Sequence, residues 1–255
     1  CDGVWDPHPA LGPQRPPRAG VHNSGWVQIP GAEILGDPAR HDELRDYVIG
    51  VVTRYRRDPR VQVWDLFNEP DNPNTAAYGE QDLEHKAARA RELLEKMFVW
   101  ARQVNPSQPL TAGVWWGDLS TIERMSPIAR LSIEQSDVIS YHSYQNFAET
   151  RKRTEQLEQF GRPLLCTEFM ARPAGSTFDP HLGYFQEQGI GAYCWGFVQG
   201  KTQTHIPWDS WQKPYTSEPE PWHHEIFRPD GTPYDADEVA YIRRLTGKQP
   251  ATGGR

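Results

Sequence analysis

Two carboxyl side chains in this 255-residue sequence stand where apolar runs stop. "VQVWDLFNEPDN" (61–72) carries a strand-like run into Asn68 and Glu69 and then into a proline turn. "PLLCTEF" (163–169) does the same with Glu168, 99 residues further on. A strand that only fills a core ends in turn residues such as Gly, Asp or Ser. One that ends in an amide and an acid sets a hydrogen-bonding group beside a proton donor or nucleophile. Two acids whose surroundings keep one protonated and the other ionised can attack and protonate the same bond.

Holding two such groups against each other requires a rigid sheet, and segments of strand length recur along the chain. They are 61–67, 109–115 ("PLTAGVW"), 137–142 ("DVISYH"), 163–169 and 191–197 ("GAYCWGF"). Helical patterns lie between them. Asp37-Pro38 opens one whose stripe is Leu44, Tyr47, Val48, Val51, Val52 and Tyr55, and Asp58-Pro59 closes it. A longer one covers about 83–104, with Leu83, Ala87, Ala90, Leu94, Met97 and Ala101 on one face. Others fall near 119–131, 149–160 and 180–188. The last starts at Asp235, with Glu238 placed for a capping box, and ends near Gly247. Short apolar strands alternating with amphipathic helices predict an α/β fold, a parallel sheet covered by helices. Residues 1–36, punctuated by Pro and Gly, read as a loop region, 37–247 as the barrel-like body and 248–255 as a disordered tail.

In such folds the carboxyl ends of the strands form the site. Taken in order, those ends present Asn68-Glu69, Trp115-Trp116, His142 with Tyr144, Glu168 and Trp195. Alternation along 163–169 turns Leu164 and Cys166 to the same side as Glu168. Two acids on strands three apart, across a barrel mouth, are equipped for glycoside hydrolysis: one protonates the leaving oxygen, the other captures the oxocarbenium-like centre. A tyrosine hydroxyl and a histidine would hold the nucleophile ionised and oriented. Indole faces stack on the C–H-rich sides of sugar rings. A strand-end acid can also be a plain solvated carboxylate, so the pairing is what gives the reading its force.

"DPRVQVWDLFNEPDN", "YHSY", "PLLCTEF" and "YCWGF" together resemble the fourth, sixth, seventh and eighth strands of the clan A glycoside hydrolases, with family 5, the cellulase-like family, the nearest member. The resemblance covers about residues 38–247. It implies that Glu69 is the acid/base, that Asn68 contacts the sugar 2-hydroxyl, and that Glu168 is the nucleophile. It also implies that His142-Ser143-Tyr144 matches the family's His-x-Tyr and that Trp195 is its strand-eight tryptophan. A barrel of this kind has three βα units before the Asn-Glu strand, roughly 100 residues or more. Here 60 residues precede Val61, and "CDGVWDPHP" resembles the end of a third strand and its loop. The expected architecture is therefore a partial (β/α)8 TIM barrel, strands four to eight, incomplete at its N-terminus. The family's strand-two Arg and strand-three His have no counterpart.

Composition narrows the partners. A net charge of −7 and the lack of any Lys/Arg block exclude a nucleic-acid surface. No apolar run approaches the ~18 residues of a membrane span. Three cysteines form neither a disulfide framework nor a metal spacing, and Cys166 and Cys194 read as core thiols. "GFVQGKT" is one residue short of a phosphate loop and has no helix after it, and His223-His224-Glu225 lacks the H-E-x-x-H order. No metal or cofactor is implied. Of ten tryptophans, Trp26, Trp115, Trp116, Trp208, Trp211 and Trp222 sit in loops or strand ends, and Trp26, Trp115 and Trp208 join Trp195 as candidate sugar contacts. Lys201, His205 and Asp209 line the long loop after the last strand, Lys201 as a further sugar contact. Trp64 and Trp100 read as core.

The sequence thus predicts a retaining β-glycosidase acting on β-1,4-linked plant polysaccharide: cellulose-type glucan first, xylan or mannan after it. The alternative is an inactive partial barrel that only binds carbohydrate. An open barrel would leave the strands carrying Val61 and Val63, and Ala192 and Cys194, as bare edges, which predicts a homo-oligomer burying that side. The compartment stays open, with a secreted or periplasmic setting favoured.

Overall fold

The computed structural model describes residues 1–247, so the tail expected at 248–255 lies outside the described residues. The chain is α/β with parallel strand pairing. It divides into two compact units, one built from Cys1–Arg15, Trp26–Tyr141 and Gln156–Leu164, the other from Pro16–Gly25, His142–Glu155 and Leu165 onward.

In the first unit strand β1 (Trp64–Asp65) pairs parallel with β2 (Leu110–Thr111), Trp64 opposite Leu110 and Asp65 opposite Thr111. A bridge from Val114 to Tyr141 continues the parallel order into β3 (Ile139–Ser143). Helices α1 (Ala32–Gly36), α2 (Arg45–Tyr55), α3 (Lys86–Val104) and α4 (Pro127–Gln135) belong to the same unit. Leu35, Val52, Phe67, Leu94, Met97 and Leu110 are buried together as its core. Helix α3 ends because Asn105 takes a left-handed conformation and returns its N–H to Arg102, with Pro106 next. Helix α4 begins where the Ser126 hydroxyl accepts the Ala129 N–H and Pro127 supplies the first turn.

Helix α5 (Phe147–Glu158) leads into β4 (Leu164–Phe169), which pairs parallel with β5 (Gly191–Cys194) in the second unit: Cys166 faces Ala192 and Phe169 faces Cys194, with a register shift between. Helices α6 (Phe178–Glu187) and α7 (Ala236–Leu245) pack on one another. Phe169 meets Phe178 and Phe185 edge to face at 5.8 and 5.3 Å, the aromatic centre of this unit.

Several expectations from the sequence are corrected. Regular strand pairing is shorter than the apolar runs, and only two residues of 61–67 are in β1. Beyond it the backbone changes partner: Leu66 N–H donates to Thr111, whereas Asn68 N–H donates to Cys1 and Gly3 N–H donates to Asn68. Residues 1–3 are therefore strand-like, and 32–36 are helical, inside a segment expected to be loop. Three paired residues carry no period for the eye to find.

The helix expected from Asp37 starts only at Arg45, after a tight 3₁₀ turn at His41–Leu44, which shifts the stripe and leaves Tyr47 63% exposed. The helix expected near 119–131 begins at Pro127, since Ser126 caps it. On α3, Ala87 is exposed and Lys86 is buried in its place. Burial is tolerable because Nζ donates to Asp82 Oδ2 at 2.6 Å, Gln28 Oε1 at 2.9 Å and the Gly3 carbonyl. Asp235 caps α7 as expected, accepting from Asp237 and Glu238 N–H. The Glu238 carboxylate does not close the capping box but pairs with Arg172 at 2.6 Å.

Candidate active site

The first unit holds Asn68 and Glu69. Glu69 is 7% exposed, and its φ of +37° is left-handed, a strained state for a side chain with a Cβ. The turn that follows explains it: Asn72 N–H closes onto the Glu69 carbonyl at 3.0 Å, and the Asn72 amide donates to Glu69 Oε2 at 2.6 Å. The carboxyl is thus aimed by its own turn. Gly3 lies against the same peptide, where a Cβ would stand 2.3 Å from the Glu69 carbonyl oxygen.

Asp2, beside Asn68, accepts from the Val4 N–H at 3.0 Å, the Asn68 amide at 3.4 Å and the Trp26 indole at 2.9 Å. Burial pushes the Asp2 carboxyl up, the Glu69 charge adds to that, and the three donors oppose it. Trp26 keeps 40% of its surface exposed while its N–H is tied down. Trp115 is also in this unit, with its indole N–H on Asp71 at 2.7 Å; Trp116 shares that carboxylate at 3.1 Å.

The second unit holds Glu168, His142, Tyr144, Trp195, Lys201 and Trp208. Strand β4 delivers Glu168 at its penultimate position, with only 14% of the side chain exposed. The Tyr144 hydroxyl donates to Glu168 Oε2 at 2.6 Å, and His142 Nδ1 stands 3.4 Å from the same oxygen. Cys166 is fully buried, and burial, followed by the Glu168 charge, pushes its thiol well up. Cys194 is only half-buried. The Trp195 N–H reaches the Phe169 carbonyl at 3.3 Å, one residue beyond the Phe169–Cys194 pair, which fixes the Trp195 backbone at the strand end. Trp208 meets the Tyr144 ring edge to face at 5.3 Å. Lys201 is exposed in a turn and makes no ion pair among the described residues.

Behind Tyr144 lies a group of histidines. His224 packs on the Tyr144 ring at 5.2 Å, on His223 at 4.3 Å and on His22 at 5.4 Å. His22 donates from Nδ1 to the Ile206 carbonyl, and His224 from Nδ1 to that of Met170, both at 2.6 Å. Burial, then neighbouring histidines or Arg172, keeps these rings neutral: His22 is lowered to about 4, His223 to about 3, and His224 well below its ordinary value. Glu225 is equally buried and takes Thr204 Oγ1 at 2.8 Å and His205 Nδ1 at 3.1 Å. His205 is thus buried rather than a loop-lining group. Trp222, grouped with the loop tryptophans, is fully buried and stacked on Tyr234 at 4.6 Å. Trp100 is core as expected, and Trp64 is half-buried against it.

Sequence reasoning missed Asp2, Asp71, Asn72, Gly3 and His22. Only the "NEPDN" motif hinted at two of them, through polar residues packed into the turn after Glu69.

The sequence matches the family model of Cellulase (glycosyl hydrolase family 5) over residues 20–214, and the chain belongs to that family. Comparison with curated proteins gives no match. Among solved structures, Bacteroides uniformis β-glucuronidase is similar with a TM-score of 0.55 and 15% identity, over 89% of this chain and 28% of that one. A β-D-glucuronidase for Dictyoglomus thermophilum gives 0.52 and 13%, over 86% and 36%. A glycosylated endo-β-1,4-xylanase of family 10 from Gloeophyllum trabeum gives 0.51 and 13%, over 89% and 74%. This chain therefore spans about a third or less of the two β-glucuronidases, and at these identities the likeness is one of α/β fold.

Proposed function

We propose that this chain carries a retaining β-glycosidase site, with Glu168 as nucleophile and Glu69 as acid/base. Its substrate is β-1,4-linked plant polysaccharide or the derived oligosaccharides, cellulose-type glucan before xylan or mannan. The observation that carries the reading is the setting of Glu168, whose Oε2 takes the Tyr144 hydroxyl at 2.6 Å and faces His142 at 3.4 Å. A short charge-assisted hydrogen bond of this kind steadies and orients a carboxylate. Family membership and the turn-aimed Glu69 support the second role.

Glu168 attacks the anomeric carbon while Glu69 gives its proton to the departing oxygen. Water, deprotonated by Glu69, then attacks the same carbon and frees Glu168. Asn68 contacts the sugar 2-hydroxyl; Trp26, Trp115, Trp195 and Trp208 offer ring faces, and Lys201 reaches in from its turn. In this reading β1 to β5 correspond to strands four to eight of a (β/α)8 barrel.

Glu168→Ala is expected to abolish turnover of an aryl β-glycoside, and added azide to restore it as the glycosyl azide. Full activity in that variant without azide, or a hydrolysis product of inverted configuration from the unaltered protein by NMR, refutes the assignment. Oligosaccharide binding without any turnover would favour a carbohydrate-binding protein instead. Self-association belongs to the same reading: Tyr193, Phe197 and Val198 remain 55, 65 and 42% exposed on and just after β5. Light scattering should report a dimer or larger species at micromolar concentration, and a monomer refutes this part.

A further inference from the structure

Directly after the strand that delivers Glu168, the backbone bends against its preference. Met170 is fully buried and has a φ of +78°, in the left-handed region that a side chain with a Cβ resists. Such a conformation persists only where its surroundings hold it. Here two fully buried side chains, Ser176 and His224, take both polar backbone atoms of that residue. Its N–H donates to Ser176 Oγ at 3.1 Å, and its carbonyl accepts from His224 Nδ1 at 2.6 Å. Both side chains also reach the segment that carries Tyr144. Ser176 Oγ donates to the Ser143 carbonyl at 3.4 Å, and the His224 ring lies 5.2 Å from the Tyr144 ring. A carbonyl partner fixes the tautomer: Nδ1 carries the proton, and Nε2 has no hydrogen-bond partner among the described residues. The Met170 carbonyl is therefore the group that orients this ring. His224 is anchored in turn, with its N–H on the Thr204 carbonyl at 3.2 Å and its own carbonyl on the Arg172 guanidinium at 2.9 Å.

We propose that Ser176 and His224 are positioning residues for the nucleophile, forming a buried clasp that holds the bent Met170 backbone against Ser143 and Tyr144. The proposal rests on the glycosidase reading above and adds two residues that act through Glu168 and Tyr144 rather than on the sugar. Glu168 lies two residues before Met170. Relaxation of Met170 toward an ordinary φ would turn the end of β4 and carry the carboxylate with it, while the Tyr144 hydroxyl has to stay 2.6 Å from Oε2. The same two side chains hold the backbone on both sides of that hydrogen bond, so its ends keep their spacing. A carboxylate fixed in this way is aligned before substrate arrives.

The test compares His224→Phe, which keeps a ring on Tyr144 and loses the donor, with His224→Asn, whose amide nitrogen replaces Nδ1. Ser176→Ala acts on the other side of the same backbone. On 4-nitrophenyl β-cellobioside, His224→Phe and Ser176→Ala are each expected to lower kcat by about tenfold and leave KM within about twofold, part of the ~10²-fold that an ångström of misplacement costs. His224→Asn is expected to recover most of the lost kcat. In a Tyr144→Phe background, His224→Phe should cost less than it does alone, because the hydrogen bond it serves is gone. Folded His224→Phe and Ser176→Ala with unchanged kcat overturn the proposal. Fully multiplicative losses in the double variant, or no recovery in His224→Asn, also overturn it and leave the pair as packing alone. Crystals of the substrate-free variants read the clasp without turnover. The distance from Tyr144 Oη to Glu168 Oε2 should open beyond about 3.2 Å in His224→Phe and stay near 2.6 Å in His224→Asn. An unchanged distance in both overturns the proposal. Lack of turnover by the unaltered protein defeats the glycosidase reading alone, and the crystal distances then decide the clasp.

Discussion

Replacing Gly3 with Ala tests whether Glu69 must be placed to within an ångström. The added Cβ would stand 2.3 Å from the Glu69 carbonyl oxygen and 2.8 Å from Pro70 Cα, both backbone atoms that no rotamer can move aside. Ordinary C···O contacts begin at about 3.3 Å, so one chain must shift by about 1 Å. Residue 3 is held by its N–H on the Asn68 carbonyl at 2.9 Å and by Lys86 on its own carbonyl, so Glu69 shares the displacement. Overpacking of this size destabilises by about 1–3 kcal/mol, and an ångström of misplacement costs about 10²-fold in rate. The assay compares kcat on an alkyl β-glycoside, which needs the leaving oxygen protonated, with a 2,4-dinitrophenyl glycoside, which does not. The expected result is about a hundredfold loss on the first and a small loss on the second, with the circular dichroism spectrum retained. Gly50→Ala is the control: Gly50 lies within α2 with nothing near its would-be Cβ, so the change should add about 1 kcal/mol of helix stability and leave rates alone. A folded Gly3→Ala with unaltered rates on both substrates would refute the reasoning about Glu69.

Tyr144→Phe removes the 2.6 Å donor from Glu168 and should lower kcat/KM by about ten- to a hundredfold, the worth of a hydrogen bond to a charged group; an unchanged value would mean the hydroxyl is idle. Lys86→Met takes the cation from the buried Asp82 carboxylate, leaving it only the Asn74 amide and Leu83 N–H, and should cost about 3–5 kcal/mol in urea unfolding, with a loss under ~1 kcal/mol counting against a buried ion pair. The second unit should weaken in acid. His22, His223 and His224 have folded values depressed to about 4, about 3 and lower, so the unfolded chain binds protons that the folded chain refuses. Stability is full above pH ~6.5 and falls by up to about 1.4 kcal/mol per pH unit for each histidine as pH drops toward 4. A urea midpoint that is flat between pH 6 and 4.5 would exclude this.

The residues that end apolar runs were legible without coordinates, because alternation and a strand stop place them. Glu168 beside Tyr144 and His142 follows from that logic alone. The partners that aim the groups were not. Asp2 finds Trp26 and Asn68, and Asp71 finds Trp115, across separations of 24 to 66 residues, and a lone Asp in a loop carries no sign of its partner. Lys86 inverted the usual rule because its three acceptors lie on three separate segments. Helix starts slipped where a cap outweighed the apolar stripe, as at Ser126. Strand lengths slipped because an apolar run marks burial, whereas pairing depends on which backbone lies alongside.

The segment 16–25 has a consequence for the timing of folding. It belongs to the second unit, yet the chain leaves that unit for more than a hundred residues before returning. Its partners come late: Asn23 N–H donates to the Thr202 carbonyl at 2.7 Å, and His22 N–H to Ser210 Oγ at 3.0 Å across 188 positions. Closing such a loop costs roughly 4–5 kcal/mol of chain entropy before any contact returns it. At about 5–20 residues per second, a ribosome takes on the order of 10 to 40 s to supply those partners. During that interval much of the first unit can assemble from what has emerged, while 16–25 keeps only its local bonds, such as Val21 N–H to the Arg18 carbonyl and Arg18 N–H to Ser24 Oγ. The second unit can therefore be completed only after residues 202–210 have emerged, later than the last segment of the first unit, 156–164.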